Sequence, residues 1–219
     1  MVVPILQGPL RGKRWIAGSS THGCWFGTYE IETQRAFCGV AKPGDVVYDV
    51  GANVGFYSLL GSLCVGPTGR VYCFEPLPRN ITDLRKHIAI NRLANCEVIE
   101  AAVSSTDGRT GFDSSRPRSM GWLSEAGAQT VSTVSLDSLV GNGRILPPKV
   151  MKIDVEGAEV DVLRGCREVL AAHHPAIVLA THGRAAHDVC IAALTAHGYK
   201  VRSVNSLDVD QSDELLAIP

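Results

Sequence analysis

Acidic and glycine residues lie at two points of the chain where they could bind a polar cofactor. The run VVYDVGANVGFYSLL, residues 46–60, places Asp49 at the end of an apolar stretch and then a turn with Gly51 and Gly55. Glycine lets a ligand approach the backbone, and the helix N-terminus that follows offers free N–H groups. Glu75 ends the next apolar run, VYCFE, about one βαβ unit later. An acid there suits a ribose, whose hydroxyls need acceptors, so the pattern predicts a nucleoside-containing cofactor.

The spacing of the turn distinguishes between such cofactors. A dinucleotide fingerprint reads G-x-G-x-x-G and cradles a pyrophosphate. This turn reads G-x-x-x-G and follows the acid Asp49, which would repel a pyrophosphate, so a cofactor with an adenosine and a cationic amino-acid portion fits better. That describes S-adenosylmethionine, with Asp49 and Gly51 at its methionine portion, Glu75 at the ribose and Ala102 making room for adenine. Asn53 either bonds the cofactor or holds the turn. The predicted cofactor-binding residues are Asp49, Gly51, Asn53, Gly55, Glu75 and Ala102.

A second group of acids follows the apolar run VMKI. Asp154 ends the run, Glu156 lies in the turn and Glu159 enters the next helix. These acids could build an oxygen-rich cation site or could complement a helix N-terminus. We favour an intermediate interpretation without a metal, in which Asp154 faces the methyl-transfer centre, Glu156 orients the acceptor or a loop, and Glu159 is structural. Lys152, inside the run, is expected on a covered face, paired with one of these acids.

A histidine follows a further apolar run. His182 comes directly after PAIVLAT, and a histidine that titrates near neutral pH suits removal of the proton from an acceptor alcohol. We therefore predict Asp154, Glu156 and His182 as the catalytic residues, with His182 or Asp154 as the general base. His22 is a rival base if the N-terminal segment covers the site.

Three segments carry the most specific pattern of the chain: DVGANVGFYS, FEPLPRNITDL and VMKIDVEGAEVDVLRG. Together they resemble the FkbM-type family of S-adenosylmethionine-dependent methyltransferases. The K-I-D-V-E-G-A-E block is the most specific of them, because ordinary methyltransferases share only the first turn. The resemblance runs from roughly Gly39 to the C-terminus, and GKRWIAGSSTHGCWFGTYE resembles the leader of some members. The resemblance implies O-methylation of a hydroxyl on a small-molecule, sugar or natural-product acceptor.

Alternating apolar strands and amphipathic helices would position these residues. The expected strands are 46–50, 70–75, 96–102, 149–154 and 176–180, the expected helices are 55–63, 78–91, 158–172 and 184–197, and 199–204 and 214–218 form an antiparallel pair. This order predicts a Rossmann-like α/β fold, a seven-stranded and mostly parallel sheet with helices on both faces. Ligands bind beyond the carboxyl ends of such strands, where Asp49, Glu75, Asp154 and His182 all fall.

A single methyltransferase domain, 1–219, accounts for the whole chain. Residues 1–44 are predicted to form a leader or lid, in which KRWIAG and CWFGTYE are two short strands or a strand and the approach to a helix. Residues 45–219 form the S-adenosylmethionine-binding core. The segment of about 104–135, rich in Ser, Thr, Gly and Arg, interrupts the alternation and predicts a small antiparallel insertion beside the sheet.

Composition excludes several classes of partner. The 219 residues carry 21 basic and 22 acidic side chains, which gives no basic face for nucleic acid. No apolar run is long enough to cross a membrane, and no signal peptide is expected. Seven cysteines without C-x-x-C spacing indicate a reducing cytoplasm. The expected partner is a small-molecule or sugar-containing acceptor. A homodimer stays open, as do a non-catalytic nucleoside-binding module and an NAD-dependent oxidoreductase.

Overall fold

A computed structural model describes residues 1–113, 122–123, 129–205 and 208–219. The strands in chain order are β1 (Val2–Pro4), β2 (Arg14–Ile16), β3 (Val46–Val50), β4 (Arg70–Phe74), β5 (Cys96–Ile99), β6 (Ala102–Val103), β7 (Gly108–Asp113), β8 (Trp122–Leu123), β9 (Gln129–Val134), β10 (Val150–Ile153), β11 (Ala176–Ala180), β12 (Lys200–Ser203) and β13 (Glu214–Ile218). The helices are α1 (His22–Phe26), α2 (Ile31–Val40), α3 (Phe56–Val65), α4 (Pro78–Asn91), α5 (Leu136–Gly141), α6 (Glu159–Arg164), α7 (Arg167–His173) and α8 (Arg184–Ala196). None of the helices in these ranges is both long and apolar enough to cross a membrane.

The central sheet has seven strands in the order β12-β13-β11-β10-β3-β4-β5. β13 runs antiparallel to both of its neighbours and the other pairs are parallel. Its inner strands are nearly all apolar because both faces are covered. Val47 belongs to a buried cluster with residues of α2, α3 and α4, whereas Tyr48 belongs to a second cluster with residues of α5 to α8. The predicted fold, a mostly parallel seven-stranded sheet with helices on both faces, is confirmed.

Three details differ from the prediction. The strand expected over 96–102 ends at Ile99, and Ala102 begins β6 in a separate four-stranded sheet. The helix expected over 158–172 is divided into α6 and α7 at Gly165, where the backbone packs so closely that a Cβ would lie 2.0 Å from the carbonyl oxygen of Ser104. In the leader, β2 pairs with β1, and CWFGTYE contains part of helix α1 instead of a strand. The leader thus contains a two-stranded sheet and a short helix.

The smaller sheet has the order β6-β9-β7-β8. β7 pairs antiparallel with β9 and β8, and β6 pairs parallel with β9. The antiparallel insertion predicted over 104–135 is thus confirmed where the structure describes it, while its parts at 114–121 and 124–128 lie outside the described residues. Helix α5 was not predicted, although Ser135 caps it by accepting a hydrogen bond from the backbone N–H of Ser138 at 3.2 Å.

One buried histidine fastens the leader to the core. The backbone N–H of Ile16, in β2, donates to Nε2 of His87 at 2.9 Å, and Nδ1 of His87 lies 2.7 Å from the carbonyl oxygen of Val54. Since Nε2 accepts, Nδ1 carries the hydrogen and the ring is neutral. Trp15 stacks on this ring at a centroid distance of 3.9 Å. His87 therefore joins the leader to the glycine turn that follows β3.

We expect His87 to make the free energy of unfolding depend on pH. Burial lowers its pKa, so its contribution is present above the unfolded pKa of about 6.5 and is lost as the pH falls through the lower folded value. His87→Gln should lower the free energy of unfolding by about 1–3 kcal/mol at neutral pH, because buried hydrogen bonds are broken. It should also reduce the fall in stability between roughly pH 7.5 and 5.5 in urea unfolding.

The matched control is His173→Gln at the end of α7, a half-buried position far from the leader contacts. This variant should keep the pH dependence of the parent protein. If His87→Gln unfolds with the same free energy and the same pH dependence as the parent, the leader is not held by this histidine.

Candidate active site

The turn between β3 and α3 lies close against the neighbouring strands. Gly51 has a φ of 84°, and a Cβ at this position would lie 1.9 Å from the carbonyl oxygen of Asp154. The backbone N–H groups of Gly51 and Ala52 both donate to the carbonyl oxygen of Phe74, at 3.1 and 2.9 Å. Asn53 is left-handed, with a φ of 49°. Only glycine permits this approach at the first position, which fixes the turn between β4 and β10.

Glu75, directly after β4, is buried and held by three donors. Oε2 accepts from the backbone N–H of Asn53 at 2.8 Å, and Oε1 accepts from the backbone N–H of Leu77 at 2.9 Å and from Nδ2 of Asn80 at 3.2 Å. Burial raises the pKa of Glu75 to about 7 against these hydrogen bonds. A carboxylate has about four acceptor positions, so one is left for a further donor such as a ribose hydroxyl. The left-handed Asn53 holds the turn through its backbone.

Asp49, on β3, faces a buried lysine on the adjacent strand. Its Oδ2 accepts from Oγ of Ser58 at 2.6 Å, and burial raises its pKa to about 6. Lys152 is its register partner on β10 and is 1% exposed. Nζ of Lys152 lies 3.5 Å from Oδ2 of Asp154 and 4.0 Å from Oε2 of Glu214. Burial alone would lower the pKa of Lys152, but the surrounding carboxylates raise it, so the side chain is a cation paired with an acid, as expected.

The predicted catalytic residues converge beyond the ends of β10 and β11. Nε2 of His182 lies 3.4 Å from Oε2 of Glu156 and 3.8 Å from Oδ1 of Asp154. On the other side of the ring, Nδ1 lies 2.7 Å from Oε1 of Glu159, which is fully buried. Parallel strands bring their carboxyl ends to one edge, and for this reason residues far apart in the chain meet here.

The contacts of His182 change its pKa. The hydrogen bond to Glu159 and the charges of Glu156 and Asp154 raise the pKa of His182 to about 9, against the effect of its partial burial. These contacts favour the charged form of the ring. His182 as the general base stays a prediction, and the contact with Glu159, which sequence reasoning treated as structural only, favours Asp154 as the alternative base.

A cleft joins the glycine turn to these carboxylates. Its lining residues come from the leader, from the segment around α3 and from β10 with its following turn: Ser20, Thr21, Cys24, Tyr29, Asp49, Gly51, Ala52, Asn53, Val54, Phe56, Tyr57, Lys152, Asp154 and Glu156. Five predicted site residues are thus brought together. Sequence reasoning missed the individual leader residues, since that irregular segment carries no pattern that points to a site.

The other predicted residues lie around this cleft. Glu75 adjoins it through Asn53. Gly55 is the N-cap of α3, where a Cβ would meet Leu84 at 2.5 Å, so it has a packing role. Ala102 is buried in an apolar cluster with Leu77 and Val131, beside the loop that follows Glu75. His22, the rival base, is exposed on α1 and is not among the residues that line the cleft.

Known proteins are similar to this chain in sequence and in fold. Residues 49–201 match the family model of the methyltransferase FkbM domain. The hexuronic acid methyltransferase AglP of Haloferax volcanii is 32% identical over 145 residues, which cover 64% of this chain and 58% of AglP, so the chain spans less than two thirds of AglP. The 31-O-demethyl-FK506 methyltransferase FkbM of Streptomyces tacrolimicus is 29% identical over 210 residues, 78% of this chain and 80% of that protein. The crystal structure of methyltransferase FkbM from Methylobacillus flagellatus KT has a TM-score of 0.56 at 18% identity, covering 91% of this chain and 56% of that one.

The matched region covers the site as well as the sheet. It begins at Asp49 and ends in β12, and every predicted cofactor-binding and catalytic residue lies inside it. The match extends over more than half of the chain and confirms a methyltransferase domain over residues 49–201, with S-adenosylmethionine as its cofactor. The chain belongs to the FkbM family of methyltransferases.

Proposed function

We propose that this protein transfers a methyl group from S-adenosylmethionine to a hydroxyl of a sugar-containing or other small-molecule acceptor. One observation carries the proposal: the same cleft is lined by the glycine turn after β3 and by Asp154 and Glu156 after β10. A cofactor at the turn and an acceptor at the carboxylates would meet inside it. The substrate in the name of AglP, a hexuronic acid, supports a sugar acceptor, and the name of the Streptomyces relative supports transfer to oxygen.

Two acids at strand ends, Asp49 and Glu75, would position the cofactor. Asp49, which lines the cleft, complements the ammonium of the methionine portion, and Gly51 lets that portion approach the backbone. Glu75 accepts from a ribose hydroxyl at its remaining acceptor position. Ala102 and Leu77 give the adenine an apolar neighbourhood, since both belong to the small cluster beside Glu75.

The acceptor hydroxyl is placed at Asp154, Glu156 and His182. As the oxygen–methyl bond forms, the sulfonium–methyl bond breaks, S-adenosylhomocysteine leaves and the hydroxyl proton passes to one of the two carboxylates. His182 and Glu159 orient these carboxylates, and holding the reactants in line supplies much of the catalysis. The leader, 1–44, acts as a lid, because Ser20, Thr21, Cys24 and Tyr29 line the cleft. The homodimer and the cytoplasmic location stay predictions of the sequence.

The first test concerns the cofactor. Calorimetry should show binding of S-adenosylhomocysteine and no comparable binding of NAD. Glu75→Gln should weaken S-adenosylhomocysteine binding by about 1–3 kcal/mol, because hydrogen bonds to a charged acceptor are lost. Glu100→Gln is the matched control, since Glu100 is exposed and pairs with Arg85 at 2.5 Å. NAD binding tighter than that of S-adenosylhomocysteine would instead indicate the oxidoreductase, and an unchanged affinity of Glu75→Gln would remove Glu75 from the site.

The affinity for S-adenosylhomocysteine should also depend on pH. The ribose hydroxyls need the ionised carboxylate, and burial raises the pKa of Glu75 to about 7. Binding should therefore strengthen as the pH rises, by roughly 10-fold between about pH 6 and pH 8, as the ionised fraction increases. In Glu75→Gln most of this dependence should disappear. An affinity that falls over the same range would show that the carboxylate does not bind as an anion.

Methyl transfer itself is tested with acceptors. Incubation with S-adenosylmethionine and a panel of hexuronic acids, hexoses and polyketide alcohols should yield a product heavier by one methylene, detected by mass spectrometry. Asp154→Asn should lower turnover by about 100-fold or more while S-adenosylhomocysteine still binds, because the acceptor side has lost a proton-accepting carboxylate. Cofactor binding without transfer to any member of the panel would favour the non-catalytic nucleoside-binding module.

A further inference from the structure

The acceptor side of the cleft has the side chains of a metal site as well as those of a proton acceptor. Asp154, Glu156 and His182 each offer one ligand atom, and these atoms all lie within 4.8 Å of one another. The three side chains are between a quarter and about a third exposed, with values of 25%, 29% and 35%. An ion placed among them would therefore keep coordination positions open toward the cleft.

The distances suit metal ligands as well as ion pairs. Hydrogen bonds between a charged nitrogen and a carboxylate are about 2.7–2.9 Å long, and the contact of His182 Nδ1 with Glu159 has that length at 2.7 Å. Nε2 is farther from its two carboxylates, at 3.4 Å from Glu156 and 3.8 Å from Asp154. Adjacent ligand atoms around an ion bound at about 2.0–2.2 Å are separated by roughly 2.9–3.6 Å. The Nε2 contacts lie in or close to this range.

Glu159 gives the histidine the orientation of a metal ligand. Its Oε1 accepts both from Nδ1 of His182 and from the backbone N–H of Gly157, at 2.7 and 2.8 Å. Histidines that bind metals usually donate their other ring N–H to a carboxylate or carbonyl in this manner, which leaves the second nitrogen for the ion. The arrangement therefore directs Nε2 to the two remaining carboxylates.

The surroundings also favour a cation. Glu159 is fully buried, and its Oε2 has no hydrogen-bond partner in the described part of the chain. A buried charge that is only partly compensated is unfavourable. Lys152, which is buried nearby, is already engaged with Asp154 through Oδ2 and with Glu214. Oδ1 of Asp154 and Oε2 of Glu156 are thus left facing one nitrogen.

We propose that Asp154, Glu156 and His182 bind a divalent transition-metal ion through Oδ1, Oε2 and Nε2, with Glu159 as the positioning residue of the histidine. One imidazole and two carboxylates suit Mn²⁺ or Zn²⁺ more than Mg²⁺ or Ca²⁺, which prefer oxygen ligands. The sequence alone favoured a site without a metal, and the placement of His182 over Glu159 is the reason for the opposite proposal.

The use of the ion rests on the proposed function. An acceptor with neighbouring hydroxyl or carboxylate oxygens, as a hexuronic acid has, could occupy the open coordination positions, and this would hold one hydroxyl at the carboxylates that face the cofactor turn. The ion would in this way select acceptors with two adjacent oxygens. The metal site itself can be tested without any acceptor or any turnover.

Mn²⁺ binding to the metal-depleted full chain is measured by calorimetry and by electron paramagnetic resonance. The parent protein should bind close to one Mn²⁺ per chain, and Mg²⁺ should bind more weakly. His182→Gln and Glu156→Gln should each weaken Mn²⁺ binding by at least about 100-fold, because a ligand is lost. Glu159→Gln should weaken it by roughly 10–100-fold through the orientation of His182. Asp161→Asn, an exposed acid on the same helix as Glu159 that pairs with Arg164, should bind Mn²⁺ as the parent does.

Circular dichroism of the same samples shows that each variant is folded, and binding of S-adenosylhomocysteine is measured separately on them. No Mn²⁺ binding by the parent up to about 1 mM would overturn the proposal. So would Mn²⁺ binding that persists in His182→Gln or Glu156→Gln, because the ion would then lie elsewhere, and so would tighter binding of Mg²⁺. If Mn²⁺ binds as expected and S-adenosylhomocysteine does not, the metal site holds and the proposed methyltransferase activity fails.

Discussion

A buried cation on the central sheet constrains the active edge of this protein. Lys152 is 1% exposed in the middle of β10, and a charge at that depth is tolerated only when opposite charges compensate it. The compensating groups come from separate elements: Asp154 follows β10, Glu214 begins β13 and the ring of Tyr57 in α3 lies 5.1 Å from the ammonium. Strand β13 and helix α3 thereby interact with the same ammonium group as Asp154, which lies on the acceptor side of the cleft.

The leader enters the same network. The hydroxyl of Tyr57 donates to Oε2 of Glu30 at 2.8 Å, and Oγ1 of Thr33 donates to Oε2 of Glu214 at 3.3 Å. Glu30 adopts a left-handed φ of 46° directly before α2. Burial raises the pKa of Glu214 to about 7 against the charge of Lys152. The leader therefore supplies side chains that contact the partners of Lys152. For this reason, the docking of the leader and the charge balance around Lys152 depend on each other.

Much of the fold and of the cofactor side could be predicted, because their signals are local. Apolar runs give the strands, and an acid at the end of a run, such as Asp49 or Glu75, falls at the edge where ligands bind. The parts that were missed depend on contacts between distant segments. The division of the helix at Gly165 follows from the approach of Ser104, and the place of Ala102 follows from its pairing with β9. Neither contact can be recognised from the amino-acid sequence around these residues.

The chemistry of His182 also depends on a contact between distant segments. An isolated histidine at a strand end suits a general base, but Glu159, 23 positions earlier in the chain, holds its Nδ1 and favours the charged ring. Only Nε2 is then left, and it faces the carboxylates of Asp154 and Glu156. A single acceptor hydroxyl can donate a hydrogen bond to only one of those carboxylates, and the second carboxylate then receives none from the acceptor. A cation at the proposed site would bind both carboxylates together with Nε2, once Nε2 has released its proton. The buried glutamate thus determines which nitrogen of His182 faces the two carboxylates, on which both the proposed proton acceptor and the proposed metal site depend.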